Sequence, residues 1–285
     1  MAHSDFDAAP ILVLGANGKT GRRVAERLRT QGIAIRACAR STQLRFDWND
    51  RATWRPVLEG VKYAYVTYQP DLAVPGALDT VGAFFDMALA NGTERIVLLS
   101  GRGEEEAQAA EEALQQSGAT WTILRCSWFM QNFSESFLLD PVREGTLALP
   151  VGDIREPFVD AEDIADAAVA ALTQPGHENR LYELTGPRAI SFAEALACIA
   201  KASRRDLHLA PVAADAFRAG LLEAGVSKEE TDLILYLFTT VLDGRNEKPA
   251  DGVRAALHRE ARSFEDYATR TAASGIWHAG HAGHA

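Results

Sequence analysis

Cysteine is scarce in this chain, with three in 285 residues. Cys38, Cys126 and Cys198 are far apart and odd in number, so they form neither a disulfide scaffold nor a close-spaced metal-ligand set. They are expected to be reduced thiols of a cytoplasmic protein. No apolar run approaches the roughly 18 residues that would span a bilayer, so no membrane partner is expected. Met1 to Pro10 is polar and acidic and lacks the pattern of a secretion signal. Basic charge is also in deficit. The 29 Lys and Arg residues face 39 Asp and Glu, for a formal net charge of −10. That balance argues against nucleic acid as a partner, because such binders carry a basic footprint. A last absence concerns chemistry. None of the six tyrosines (Tyr63, Tyr65, Tyr68, Tyr182, Tyr236, Tyr267) is followed four residues on by lysine. Between Arg95 and Arg143 there is no tyrosine, lysine or histidine at all.

What is present is a large apolar fraction, 47 %, enough for a substantial core. Ile11-Leu12-Val13-Leu14 is a short apolar run closed by Gly15, the pattern of a buried parallel strand. Further strands are expected at 33–39, 44–48, 63–68, 95–100 and 121–124. Helices are expected at 20–29, 53–58, 81–91 and 104–117. This alternation predicts an α/β fold with a doubly wound parallel sheet of the Rossmann type. Beyond it come a helix at 160–173, a strand at 180–184, and helices at 191–202, 213–224 and 228–242, with Ser191 and Glu194 spaced as a capping pair. The expected domains are a dinucleotide-binding unit over 1–150, to which a strand and helix from 158–185 return, and a smaller, mostly helical substrate lobe over 186–275. A disordered tail is expected over 276–285. Its His278, His281 and His284 stand in a Gly-Ala segment without fixed geometry, so no metal site is expected.

Gly15, Gly18 and Gly21 fall between the first strand and an amphipathic helix. There they supply a tight turn, close backbone approach to a pyrophosphate and close helix–strand packing. The helix that opens at Thr20 and Gly21 offers free N–H groups and a dipole to phosphate. After the second strand, where an acid would bind the ribose 2′-hydroxyl of NAD, the sequence reads Ala39-Arg40-Ser41. Arginine there pairs with a 2′-phosphate, so NADP is expected over NAD, with Lys19 assisting. The span from Gly15 to Arg45 holds eight basic residues (Lys19, Arg22, Arg23, Arg27, Arg29, Arg36, Arg40, Arg45) against one acid, Glu26. That bias suits either an anionic ligand or, for Arg22, Arg23, Arg27 and Arg29, a solvated helix face.

These motifs resemble a known family. Beside the glycine loop, Arg40-Ser41 and Arg45-Phe46-Asp47-Trp48 fit it. So do Val97-Leu98-Leu99-Ser100, Thr122-Ile123-Leu124-Arg125, Phe129 to Phe133, Phe158 to Ala165 and Ser263 to Tyr267. Together they resemble the NmrA-like, atypical short-chain dehydrogenase/reductases, nearest to the ergot-alkaloid type (agroclavine dehydrogenase and festuclavine synthase) and its bacterial relatives. The resemblance implies that Gly15, Asn17, Gly18, Lys19, Thr20 and Gly21 hold the pyrophosphate region, and that Arg40 and Ser41 hold the 2′-phosphate. It puts Asp47 and Trp48 by the adenine. Thr67, Tyr68 and Gln69 would lie along the nicotinamide ribose, with Ser100 and Gly101 nearby. Phe129, Met130, Asn132 and Phe133 would line the substrate side, although aromatics four apart also suit a core.

Short-chain reductases commonly use a Tyr-x-x-x-Lys pair, in which lysine lowers the tyrosine pKa for proton transfer. That pair is missing, so no catalytic residue is assigned from sequence. The expectation is an NADP-dependent oxidoreductase passing hydride to a small conjugated or cationic acceptor: an iminium, a quinone or an enone. Two alternatives stand beside it, a non-catalytic NAD(P)-sensing regulator of the NmrA type and a lyase or isomerase that kept the fold. Glu104-Glu105-Glu106 reads either as a cation attractant or as acids favoured in a helix's first turn. The partner is a small-molecule substrate, and the sequence leaves the oligomeric state open.

Overall fold

A computed structural model describes residues 9–278; His281 and His284 of the expected tail lie outside them. In chain order the first part runs β1 (Ile11–Leu14), α1 (Gly21–Thr30), β2 (Ile35–Cys38), α2 (Trp54–Leu58), β3 (Tyr63–Val66), α3 (Ala77–Ala90), β4 (Arg95–Gly101), α4 (Glu105–Gln116) and β5 (Thr120–Cys126). Then follow α5 (Leu139–Glu144), β6 (Thr146–Leu149), β7 (Arg155–Glu156), α6 (Ala161–Thr173), β8 (Arg180–Leu184), β9 (Ile190–Ser191) and α7 (Phe192–Ser203). The last are β10 (His208–Pro211), α8 (Ala214–Glu223), α9 (Lys228–Tyr236), α10 (Gly252–Leu257) and α11 (Phe264–Ala273).

The chain divides into two compact units. The first holds the residues up to Cys126, Ala161–Leu184 and Asp251–Arg259; the second holds Ser127–Asp160, Thr185–Ala250 and the residues from Glu260 on. The boundary differs from the expected one in two places. Residues 127–160 pack with the second unit, and 251–259 return to the first.

The first unit is built on six parallel strands in the order β2-β1-β3-β4-β5-β8. Chain order reverses beside β1, which is the switch point where ligands of such sheets sit, at the carboxyl ends of the strands. The buried runs Ile11 to Leu14 and Ile96 to Leu98 explain why these segments are central strands. The strand expected over 44–48 does not form; only Ala39 and Arg45 make an isolated bridge. Its alternation is real, since Phe46 and Trp48 are buried, but their rings join Trp54 and Phe84 in an edge-to-face cluster. Its backbone bonds to side chains instead of a ladder: Asp47 N–H donates to Thr53 Oγ1 and Trp54 Nε1 donates to Asp47 O.

The second unit pairs β10 with β6 in parallel and β7 with β9 antiparallel. Its core gathers Phe133, Phe158, Phe192, Phe238, Phe264, Tyr267 and Trp277. Ser191 and Glu194 form the expected reciprocal cap of α7. The single helix expected over 228–242 is α9 followed by a π-helical turn, Leu237–Val241. Trp277 corrects the expected tail at its start: it is fully buried and its Nε1 donates to Phe133 O.

Candidate dinucleotide site

The glycine loop is packed at backbone distance. Gly15 takes φ +63°, and a Cβ there would lie 2.5 Å from Thr67 Cγ2. A Cβ at Gly21 would lie 2.2 Å from Gly15 O. Only glycine allows the start of α1 to sit this close to the strand end. Ala16 N–H donates to Cys38 O at 3.2 Å, and Asn17 Nδ2 donates to Ser41 Oγ at 2.9 Å, tying the loop to the end of β2. Gln69 Nε2 reaches the space over Gly18. Helix α1 has no side-chain cap at Thr20 and no acid in its first turn, the terminus that suits an anionic ligand. The loop and its surroundings therefore fit a dinucleotide pyrophosphate.

Half of the eight basic residues are held by partners within the protein. Arg23 donates to Glu162 at 2.6 Å, and Arg27 to Glu162 at 2.5 Å and Asp166 at 2.6 Å, joining α1 to α6. Burial alone would raise the Glu162 pKa, but the two arginines lower it to about 2. Neither a solvated face nor a ligand accounts for Arg23 and Arg27. Arg36 donates to Val57 O and Glu59 O, and Arg45 pairs with Asp47 and Asp50. Arg40 is exposed and makes no ion pair or hydrogen bond among the described residues; Asp47 is the carboxylate that feels its charge.

The other expected residues divide by burial. Thr67, Tyr68 and Gln69 leave β3 partly or fully exposed beside the loop. Trp48 is 7 % exposed, and its Nε1 donates to Thr67 O, so its ring serves the core. The Ser100 hydroxyl donates to Glu111 Oε1 at 2.6 Å, beside the Glu111–Arg125 ion pair. In the second unit Met130 and Phe133 are buried core residues, while Phe129 and Asn132 are half-buried. The packing alternative therefore holds for Phe133. Burial pushes the Tyr65 phenol well up.

One carboxyl of the Glu104-Glu105-Glu106 run stands apart from its neighbours in the structure. Glu104 precedes α4 in an extended conformation, makes no cap bond, and is 7 % exposed. Its carboxyl folds back over Gly101, where a Cβ would lie 2.2 Å from Oε2. It hydrogen-bonds with the Asp71 carboxyl, and its Oε2 has no hydrogen-bond partner among the described residues. Burial first, then Asp71, push Glu104 well above the ordinary carboxylate range. Asp71 is raised by burial and restrained by the Ala73 N–H, 2.9 Å from its Oδ1. The first-turn reading fits Glu105 and Glu106 and does not fit Glu104. The nearest signal in the sequence is a glycine three residues before the acid.

A model described as NAD(P)H-binding matches residues 15–175. Agroclavine dehydrogenase of Claviceps fusiformis is 31 % identical over 90 % of this chain and 95 % of its own. Prestalk A differentiation protein A of Dictyostelium discoideum is 30 % identical over 92 % of each chain. The triphenylmethane reductase of Citrobacter sp., solved with NADP(H), superposes with a TM-score of 0.72 at 19 % identity, covering 92 % of this chain and 99 % of that one. The chain belongs to the NAD(P)H-binding family, in its NmrA-like group.

Proposed function

We propose that this NAD(P)H-dependent oxidoreductase uses NADPH to reduce a small conjugated or cationic organic acceptor, of the iminium, quinone or enone class. The observation that carries the cofactor choice is the end of β2. There Arg40 is exposed and has no ion pair among the described residues, and Ser41 is bonded to Asn17 of the glycine loop. A 2′-phosphate would supply Arg40 with the bidentate partner it lacks. Gly15, Asn17, Gly18, Lys19, Thr20 and Gly21 would hold the pyrophosphate, and Thr67, Tyr68, Gln69 and Gly101 would lie toward the nicotinamide half. The reduced nicotinamide supplies hydride. The chain's own residues bind and orient, which provides much of the rate in such sites.

Fluorescence titration with NADPH and NADH tests the cofactor. Arg40→Ala should weaken NADPH by about 2 kcal/mol, roughly thirtyfold, and leave NADH within about twofold. Equal losses would remove the phosphate role. Tight binding with no turnover of a quinone, enone or iminium would favour the sensing alternative.

A further inference from the structure

A buried carboxyl without a positive partner is expensive, and the fold keeps one, Glu104, beside a second, partly exposed carboxyl, Asp71. Asp71 stands just past the end of β3 and Glu104 just past the end of β4, neighbouring strands of the sheet at the edge where the glycine loop lies. Glu104 is nine-tenths buried, its Oε2 has no hydrogen-bond partner among the described residues, and Gly101 is the residue that makes room for it. Asp71 is partly exposed. Two ionised carboxylates this close repel, and one must hold a proton. Burial selects Glu104 to hold it, since the charged form suffers most where water is excluded.

We propose that Glu104 is the proton donor of the reaction, delivering its carboxyl proton from Oε2 to the oxygen of a conjugated carbonyl acceptor, with Asp71 as the positioning residue. The inference rests on the reductase reading above and narrows its acceptor to enones and quinones. As hydride from a reduced nicotinamide dinucleotide adds to the acceptor, the conjugated electron pair moves to the carbonyl oxygen. That oxygen takes the proton from Glu104. Glu104 is left as a carboxylate beside Asp71 and regains a proton from water by way of Asp71. An iminium needs none of this, because hydride converts the cation directly to a neutral amine. Glu104 thus fills the role that a Tyr-x-x-x-Lys pair would fill, with a carboxyl raised by burial in place of a phenol lowered by lysine.

The test has one arm without cofactor and one with it. Infrared titration of the ligand-free protein should show a protonated-carboxyl band at pH 7 that is absent in Glu104→Gln. With NADPH, Glu104→Gln should lose on the order of 10²-fold in kcat on a para-quinone or enone. NADPH binding should stay within about threefold. Asp71→Asn, which removes the neighbouring charge, should move the alkaline limb of the quinone pH profile to lower pH. A missing band, or quinone turnover unchanged in Glu104→Gln, overturns the assignment. If the wild type shows the band and binds NADPH but reduces no acceptor, the reductase reading falls, and the donor role falls with it. The band separates that result from an error about the carboxyl.

Discussion

The first unit lays aliphatic strands such as Ile11 to Leu14 and Ile96 to Leu98 into a parallel sheet, and gathers Phe46, Trp48, Trp54 and Phe84 into one ring cluster. The second draws Phe133, Phe158, Phe192, Phe238, Phe264, Tyr267 and Trp277 from scattered stretches of chain into one ring-on-ring core. In the first unit the candidate site is largely backbone: glycine positions, a helix start, strand ends. In the second, order depends on ring volumes meeting, and each large ring is individually costly to lose.

The sharpest way to break this contrast is Trp277→Ala. It removes a fully buried ring and the bond to Phe133 O, and should cost about 3–5 kcal/mol by chemical denaturation. NADPH affinity of the folded protein should hold within about twofold; a parallel loss of affinity would show that the units cannot be separated energetically. Next comes Gly21→Ala, which adds one methyl group. Its Cβ would fall 2.2 Å from a backbone oxygen, so about 2–3 kcal/mol of stability should go, with at least about tenfold of NADPH affinity. A full-affinity variant would mean the loop tolerates side chains. The smallest effect is Glu162→Gln. With a folded pKa of about 2 against an ordinary value of about 4.3, Glu162 contributes stability that is present above the unfolded value. That stability is lost as pH falls from about 5 toward 2. At this partly exposed site the difference from wild type should be on the order of 1–2 kcal/mol at pH 7 and vanish near pH 2. A constant difference across that window would assign the effect to packing.

The same contrast explains what could be read in advance. Short apolar runs ended by glycine mark β1 and β4, because buried parallel strands leave that composition. The glycine loop was legible because its spacing follows from backbone approach alone. The segment 44–48 has the alternation of a strand, yet alternation records which side chains are buried and says nothing of whether a neighbouring strand accepts the backbone. Phe129 and Phe133 look alike in sequence; only tertiary packing makes Phe133 core and leaves Phe129 half-buried. Glu104 was hidden among three acids at a helix start. Its distinction arises from Asp71, far away in the chain, and from a missing side chain at Gly101.

Arg259 is among the last residues of the first unit, and it meets Asp163, a fully buried carboxylate of α6, at 2.7 Å, and Asp166 beside it. Helix α10, just before it, packs on β8 and α6. A chain growing on the ribosome therefore finishes all six sheet strands well before it makes this arginine and helix. Translation has to run through most of the second unit before the nucleotide-binding unit can close, so a stop codon anywhere up to residue 250 would damage the half of the molecule encoded first.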